Sequence, residues 1–314
     1  MMLERAYTSP PIRRTKLPRR AGLWRQGWHR LRRNPLGMLG LSLVGLVILV
    51  AVFCPLLAPD NPDSQAAMFG VGANAAPAWQ HLLGTGRMGY DVFSRLVYGA
   101  PTALAVGIGA MAVASVIGVL LGGISGYAGG LTDELLMRFT EFFLVVPIFL
   151  VILAVVRLFG VVIVGTALEN VPHLTLVAII ILIGLFGWPP IARLARAEFL
   201  RLSQLDFVEA ARCIGTSPRD IVLRHILPNA LPSLVVVIAL GIGGAILTEA
   251  MISFLGFGDP NTISWGEMLY FNYQTLKVAP WATLAPGAAI FITVLGFNLL
   301  ADGMSDAFNP RLKQ

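Results

Sequence analysis

An all-α membrane protein with six transmembrane helices is the fold this sequence predicts, and three observations carry that reading. The 314 residues are 56% hydrophobic and only 13% charged, and the mean hydropathy is +0.75. Six apolar runs each have the length of about 20 residues that a helix needs to cross a hydrocarbon core of about 30 Å. They fall at 36–58, 97–123, 138–160, 173–192, 230–254 and 281–303. None shows the alternating pattern of an outer-membrane barrel, so helices satisfy their backbone groups in lipid.

Before the first run lies a basic arm, residues 1–35, with ten Lys and Arg. Inside it GLWRQGWHRLRRNP places Trp24, Trp28 and Leu31 on one helical face, which predicts a short interfacial helix at the headgroups. The arm is long and the apolar run after it exceeds a secretory h-region, which argues against a cleaved leader. With the N-terminus inside, 19 of the 23 Lys and Arg fall on the inner side and 4 on the outer. The positive-inside rule therefore predicts cytoplasmic N- and C-termini, the latter in the tail 304–314. It also accounts for the net charge of +6 without nucleic acid.

The first span, 36–58, is followed by a long extracytoplasmic loop, 59–96, ending in DVFSRLVYG, an amphipathic turn that leads into the second span. That span opens a five-helix core, 97–303. It carries a small-residue ladder at Ala110, Ala114, Gly118, Gly122 and Gly126, a spacing that lets another helix approach closely in lipid. Cys54 and Cys213 fall on opposite sides by this topology, so no intrachain disulfide or metal-ligand spacing is expected.

Ionisable and polar groups inside spans point to function. Glu249, in GGAILTEAMISFLG of the fifth span, is the main candidate, either lining a polar pathway or hydrogen-bonded to a neighbouring helix, with Asn298 and Asn272 as further polar candidates. Glu141 and Asp302 sit near inner ends, where headgroups solvate them. No relay of carboxylates and bases crosses the membrane, and no inverted repeat is evident, which argues against an ion-coupled secondary transporter. GISG, residues 123–126, resembles the run around an intramembrane serine protease nucleophile. Its Ser125 is predicted at the inner end, whereas His173 opens the fourth span at the outer face, so no base reaches it. No enzyme activity is expected.

The cytoplasmic loop 193–229 reads differently from everything around it. EFLRLSQLDFVEAARCI favours helix, and Gly215 supplies a C-terminal stop. Ser217 then caps a second helix with Pro218 at its first position and Asp220 complementing its dipole. Pro228 is read as closing that helix before the fifth span. The result is a helix, a tight glycine turn and a helix, held between two spans.

Glu209-Ala210-Ala211, then Gly215, then Leu227-Pro228 resembles the EAA loop of permease subunits from ATP-driven (ABC) importers. RHILPN, 224–229, is similar to the dipeptide, oligopeptide and nickel permeases among them. HLLGTGRMGYDVFSRLVYGAP (81–101), SFLGFGDPNTISWGEML (253–269) and FNLLADGMSDAFNPRLK (297–313) resemble the C-type subunit of that group. Tyr90, Pro101 and Gly86 depart from its usual outer-face pattern.

The resemblance implies a type I importer permease fold in a bacterial or archaeal inner membrane. It implies that Glu209, Ala210, Ala211, Gly215, Ser217, Pro218, Leu227 and Pro228 form the interface that couples to the ATPase. The implied partners are a second homologous permease, two ATPase subunits and an extracytoplasmic binding protein. No GxxxxGK[ST] loop is present in the sequence, so no cofactor is expected on this chain, and ATP and Mg are expected on the partner ATPases. The cargo is expected to be di- or oligopeptides, with nickel chelates, glutathione or another small solute as alternatives.

Overall fold

The computed structural model describes residues 23–59, 61–63, 72–163, 165–166 and 171–308. Most of the basic arm, the start of the long loop and the tail from 309 lie outside them. Among the described residues there are thirteen α-helices and no β-strand, only isolated bridges at Ala78–His81 and Thr85–Asp91.

Helix α1 (Leu23–Leu31) is docked on the end of the last helix, where the Arg30 guanidinium donates to the Ala307 carbonyl at 3.5 Å. Its docking face carries Gly27, beside the Phe308 ring, and the buried Leu31. Trp28 remains exposed with Arg32 stacked 4.8 Å from its ring centre, so Leu31 and Trp28 do not share one buried face. The first span, α2 (Pro35–Val52), stops short of the predicted 58. Pro55 forces a break at Phe53 and a separate turn, α3 (Cys54–Leu57).

Helix α4 (Val92–Ala128) runs 37 residues without interruption, about 55 Å at 1.5 Å per residue. The amphipathic segment before the second span is thus the first turn of that span. Asp91 caps it, its carboxylate accepting the Ser94 amide at 2.6 Å.

The third and fourth predicted spans are each broken. Helices α5 (Gly130–Val145) and α6 (Ile148–Ile163) meet at an angle of 76°. Pro147 drives the preceding Val146 into extended backbone, which ends α5. Helices α7 (Leu174–Gly187) and α8 (Pro189–Ser203) are bent by 42° at Trp188, where two consecutive prolines remove amide donors. The two breaks share an aromatic cluster: the buried Trp188 ring stacks on Phe139 at 5.9 Å and meets Phe143 edge-on at 5.4 Å. Among the described residues four helices are long and apolar enough to cross a membrane, or up to six if each bent pair is one span.

The predicted loop 193–229 therefore begins inside α8, and its far end is not a loop. After α9 (Asp206–Cys213), the turn α10 (Pro218–Asp220) passes through a wider π-helical stretch, Ile221–Ile226, directly into α11 (Leu227–Phe254). Pro228 does not close a helix there. It occupies the first turn of α11, where its missing amide costs no α-helical bond, and the π stretch accommodates its ring. Helix α12 (Trp265–Asn272) lies against α11 and α13 (Pro280–Phe308), and α13 also covers α2.

Candidate functional site: the helical hairpin

Two consecutive features fix the turn between α9 and α10. The Thr216 amide donates to the Ala211 carbonyl at 3.1 Å and the Gly215 amide to the Arg212 carbonyl at 3.0 Å. These are the paired bonds of a Schellman motif, with Gly215 at the left-handed position, φ 78°. No atom lies within 4 Å of where a Gly215 Cβ would stand. The glycine is needed for its backbone angle, not for space. Next, the Ser217 hydroxyl accepts the Asp220 amide at 3.2 Å and donates to its carboxylate at 2.8 Å, with Pro218 at N1. Arg224 pairs with Asp220 one turn on, at 3.1 Å.

The hairpin has a clear inside and outside. Val208 and Ala211, three apart on α9, are buried together with Ile221 and Ile226 in the same core as Phe199, Ile191 and Trp188 of the bundle. Ala211 thus packs inward against its own chain, whereas Ala210 and Glu209 face out. Leu227 is half-buried against that core and Pro228 is exposed. Ile214, 82% exposed, and Leu223, 62% exposed, project apolar surface beside Ser217 and Pro218. Glu209, Arg212, Gln204 and Cys213 line an open cavity of about 520 Å³ between α8 and α9.

The hairpin is tied to the bundle at its inner end. The Arg212 guanidinium lies over the Tyr127 ring at 6.0 Å, joining α9 to the end of α4. Nearby, Asp133 of α5 accepts two bonds from Arg196 of α8, and the Ser125 hydroxyl of α4 donates to the same carboxylate. Ser125 of the GISG run is therefore held by a carboxylate. Sequence reasoning missed the Asp133–Arg196 pair, because two charges 63 residues apart carry no local signal.

The α4 ladder sits against the bent pair, Ala110 and Ala114 on α7 and the glycines on α8. A Cβ at Gly122 would stand 2.2 Å from the Ala192 carbonyl, one at Gly118 2.8 Å from Ile191, and Ala110 and Ala114 are fully buried. Glu249 is 3% exposed in α11, accepting the Ser253 hydroxyl at 2.6 Å, with Ser264 also hydrogen-bonded to it. Asn298 is half-buried on α13, facing Gly243 of α11. Asn272 ties α12 to the loop before α4, accepting the Arg87 amide at 2.8 Å and donating to the Met268 carbonyl at 2.7 Å. Outside the spans, Glu267 of α12 pairs with Arg95 at 3.4 Å, and its burial pushes its carboxyl up to about 7 even though Arg95 opposes the shift.

With this geometry in place, comparison with known proteins is decisive. The family model described as "Binding-protein-dependent transport system inner membrane component" matches residues 118–314, which include the whole hairpin. The chain belongs to this family, the permeases of ABC importers. A second model, "N-terminal TM domain of oligopeptide transport permease C", matches residues 22–77. The dipeptide transport system permease protein of Alkalihalophilus pseudofirmus is 36% identical over 92% of this chain and 90% of its own length. The glutathione transport system permease proteins of Escherichia coli O6:K15:H31 and Shigella boydii are 38% identical over 92% of this chain and 91% of theirs. This permease is an inner-membrane protein of the C-type group, and its family works with ATPases and binding proteins.

Proposed function

We propose that this chain is the translocating subunit of an importer for di- or oligopeptides or glutathione-like peptides. It pairs with a second homologous permease and takes its drive from ATPase subunits, which hold the ATP and Mg, through residues 209–228. In this reading each bent pair is one span, giving six, and both termini are cytoplasmic. The cargo class rests on the names of the relatives, and nickel chelates remain the alternative within the same machinery.

The continuity of helix from Pro218 to Phe254 carries the coupling part of the proposal. A force applied at Glu209, Ala210, Ile214 or Ser217 acts on a hairpin whose inner face is packed into the bundle core and whose second arm is the fifth span itself. A rigid element of that kind passes a displacement to the far side of the membrane, whereas a floppy loop absorbs it. The exposed Ile214 and Leu223 supply the apolar centre of a docking surface, with Glu209 and Arg219 on its rim. Rim ion pairs add about 0–1 kcal/mol each, so the apolar pair is assigned most of the docking energy. Close packing of Ala110 and Ala114 on α7 and of Gly118 and Gly122 on α8 holds α4 to this bent pair, so that α4 follows the hairpin.

A photo-crosslinking residue at Ile214 tests this directly. It is expected to capture the ATPase subunit in membranes, whereas the same residue at the lipid-exposed Leu120 captures none. Capture at neither position would contradict the docking assignment.

A further inference from the structure

We infer that Arg157 forms a subsite for a carboxylate group of the cargo, in a cavity at the outer end of α6. This inference rests on the importer reading and adds a recognition role to the permease. The cavity measures about 540 Å³ and lies between α6, the start of α7 and the turn 256–261. Among the described residues Arg157 is its only cationic lining residue, accompanied by Thr175 and Asn261 as polar groups.

Three observations point to an anion as the occupant. Arg157 makes no ion pair or hydrogen bond among the described residues, and its one specific contact is the Phe257 ring, 5.7 Å from the guanidinium carbon. A guanidinium within a spanning helix is costly unless it faces water or a counter-charge, so the cavity it lines is wet. The one carboxylate on the cavity wall among the described residues, Asp259, is already used: it accepts the Leu176 amide at 3.1 Å and the Asn261 amide at 2.8 Å and is only 6% exposed. It therefore positions the turn and leaves the Arg157 charge unanswered. The Phe257 ring beside the guanidinium consumes none of its donors, which leaves them for a planar, two-oxygen acceptor. A free peptide carries such a group at its C-terminus, and a solute approaching from the outer side meets this cavity.

The test uses the complete importer in nanodiscs, without ATP or binding protein, with Thr175→Cys as reporter and Cys213→Ser removing the exposed native thiol. Labelling of this chain by anionic sulfonatoethyl and cationic trimethylammonioethyl methanethiosulfonate is followed by mass spectrometry. A positive, wet cleft concentrates the anion, so the anionic reagent is expected to react about tenfold faster, and Arg157→Gln to abolish that preference. Alanyl-alanine is expected to slow the anionic reaction and alanyl-alanine amide not to, with the difference lost in Arg157→Gln and kept in Arg157→Lys. No labelling, or equal protection by acid and amide, or protection by neither, overturns the subsite. Failure of the importer reading is seen separately, as absence of ATP-driven dipeptide uptake by the unsubstituted complex.

Discussion

The Asp133 carboxylate accepts two parallel bonds from the Arg196 guanidinium, one of them 2.6 Å long from the terminal nitrogen. This fork joins α5 to α8 on the side of the bundle where α4 ends. Helix α5 precedes the break in its span and α8 follows the break in its own, so the pair fixes how the two kinked elements sit together. Bidentate charge-assisted bonds are the strong class, and at partial exposure their loss costs about 1–3 kcal/mol. Asp133→Asn and Arg196→Gln are therefore each expected to lower the thermal unfolding temperature of the purified complex. The double variant is expected to be little worse than either single one, a non-additivity that a double-mutant cycle reads out.

Gly215 holds φ at 78° in open space. Valine there is forced into a region costing an L-residue about 1–2 kcal/mol, while asparagine tolerates it. Gly215→Val is expected to reduce ATP-driven uptake strongly with membrane insertion unchanged, and Gly215→Asn to keep most of it. Equal activity in both variants would show that the turn angle is irrelevant to coupling.

The close contact of α4 with α8 depends on an absent side chain. A Cβ at Gly122 meets the Ala192 carbonyl at 2.2 Å, so Gly122→Val must push the helices apart, at about 1–3 kcal/mol. Lower unfolding temperature in detergent is the expected result. Gly160→Val, at a position with no atom within 4 Å, is the control and is expected to be nearly neutral.

Glu267 sets a pH dependence with a definite sign. Its folded carboxyl is pushed from 4.5 to about 7 by burial, beside Arg95. The folded chain thus binds this proton more tightly than the unfolded one. The stability it contributes is fully present below pH 4.5 and is lost as pH rises through about 7. Unfolding temperatures at pH 5.5 and 8 are expected to differ less in Glu267→Gln than in the unsubstituted protein.

How much of this was written in the sequence depends on how local each signal is. The hairpin was legible because a left-handed glycine, a serine cap and an N1 proline act within a few residues. Glu209 and Ala210, which the resemblance assigns to the coupling interface, are exposed. Ala211 was not readable as inward, because its burial is decided by the bundle it packs on. The breaks at Pro147 and Trp188 escaped a reading by apolar length, since averaging hydropathy over about 20 residues hides one turn of backbone. The proline signals were present, and the same rule that ended α5 was misapplied at Pro228, where a π stretch carries the helix through. Glu249 was singled out for its charge alone. Its place between Ser253 and Ser264 required α12 to be folded against α11, a contact no spacing encodes.

ATP hydrolysis by the chain copurified with its native partners in lipid nanodiscs tests the central claim most directly, with the extracytoplasmic binding protein added empty or loaded with dipeptide. The account predicts that an ATPase copurifies, that loaded binding protein stimulates hydrolysis, and that Gly215→Val removes the stimulation while the ATPase remains bound. A complex that copurifies no ATPase, or one whose stimulation survives Gly215→Val unchanged, would contradict it.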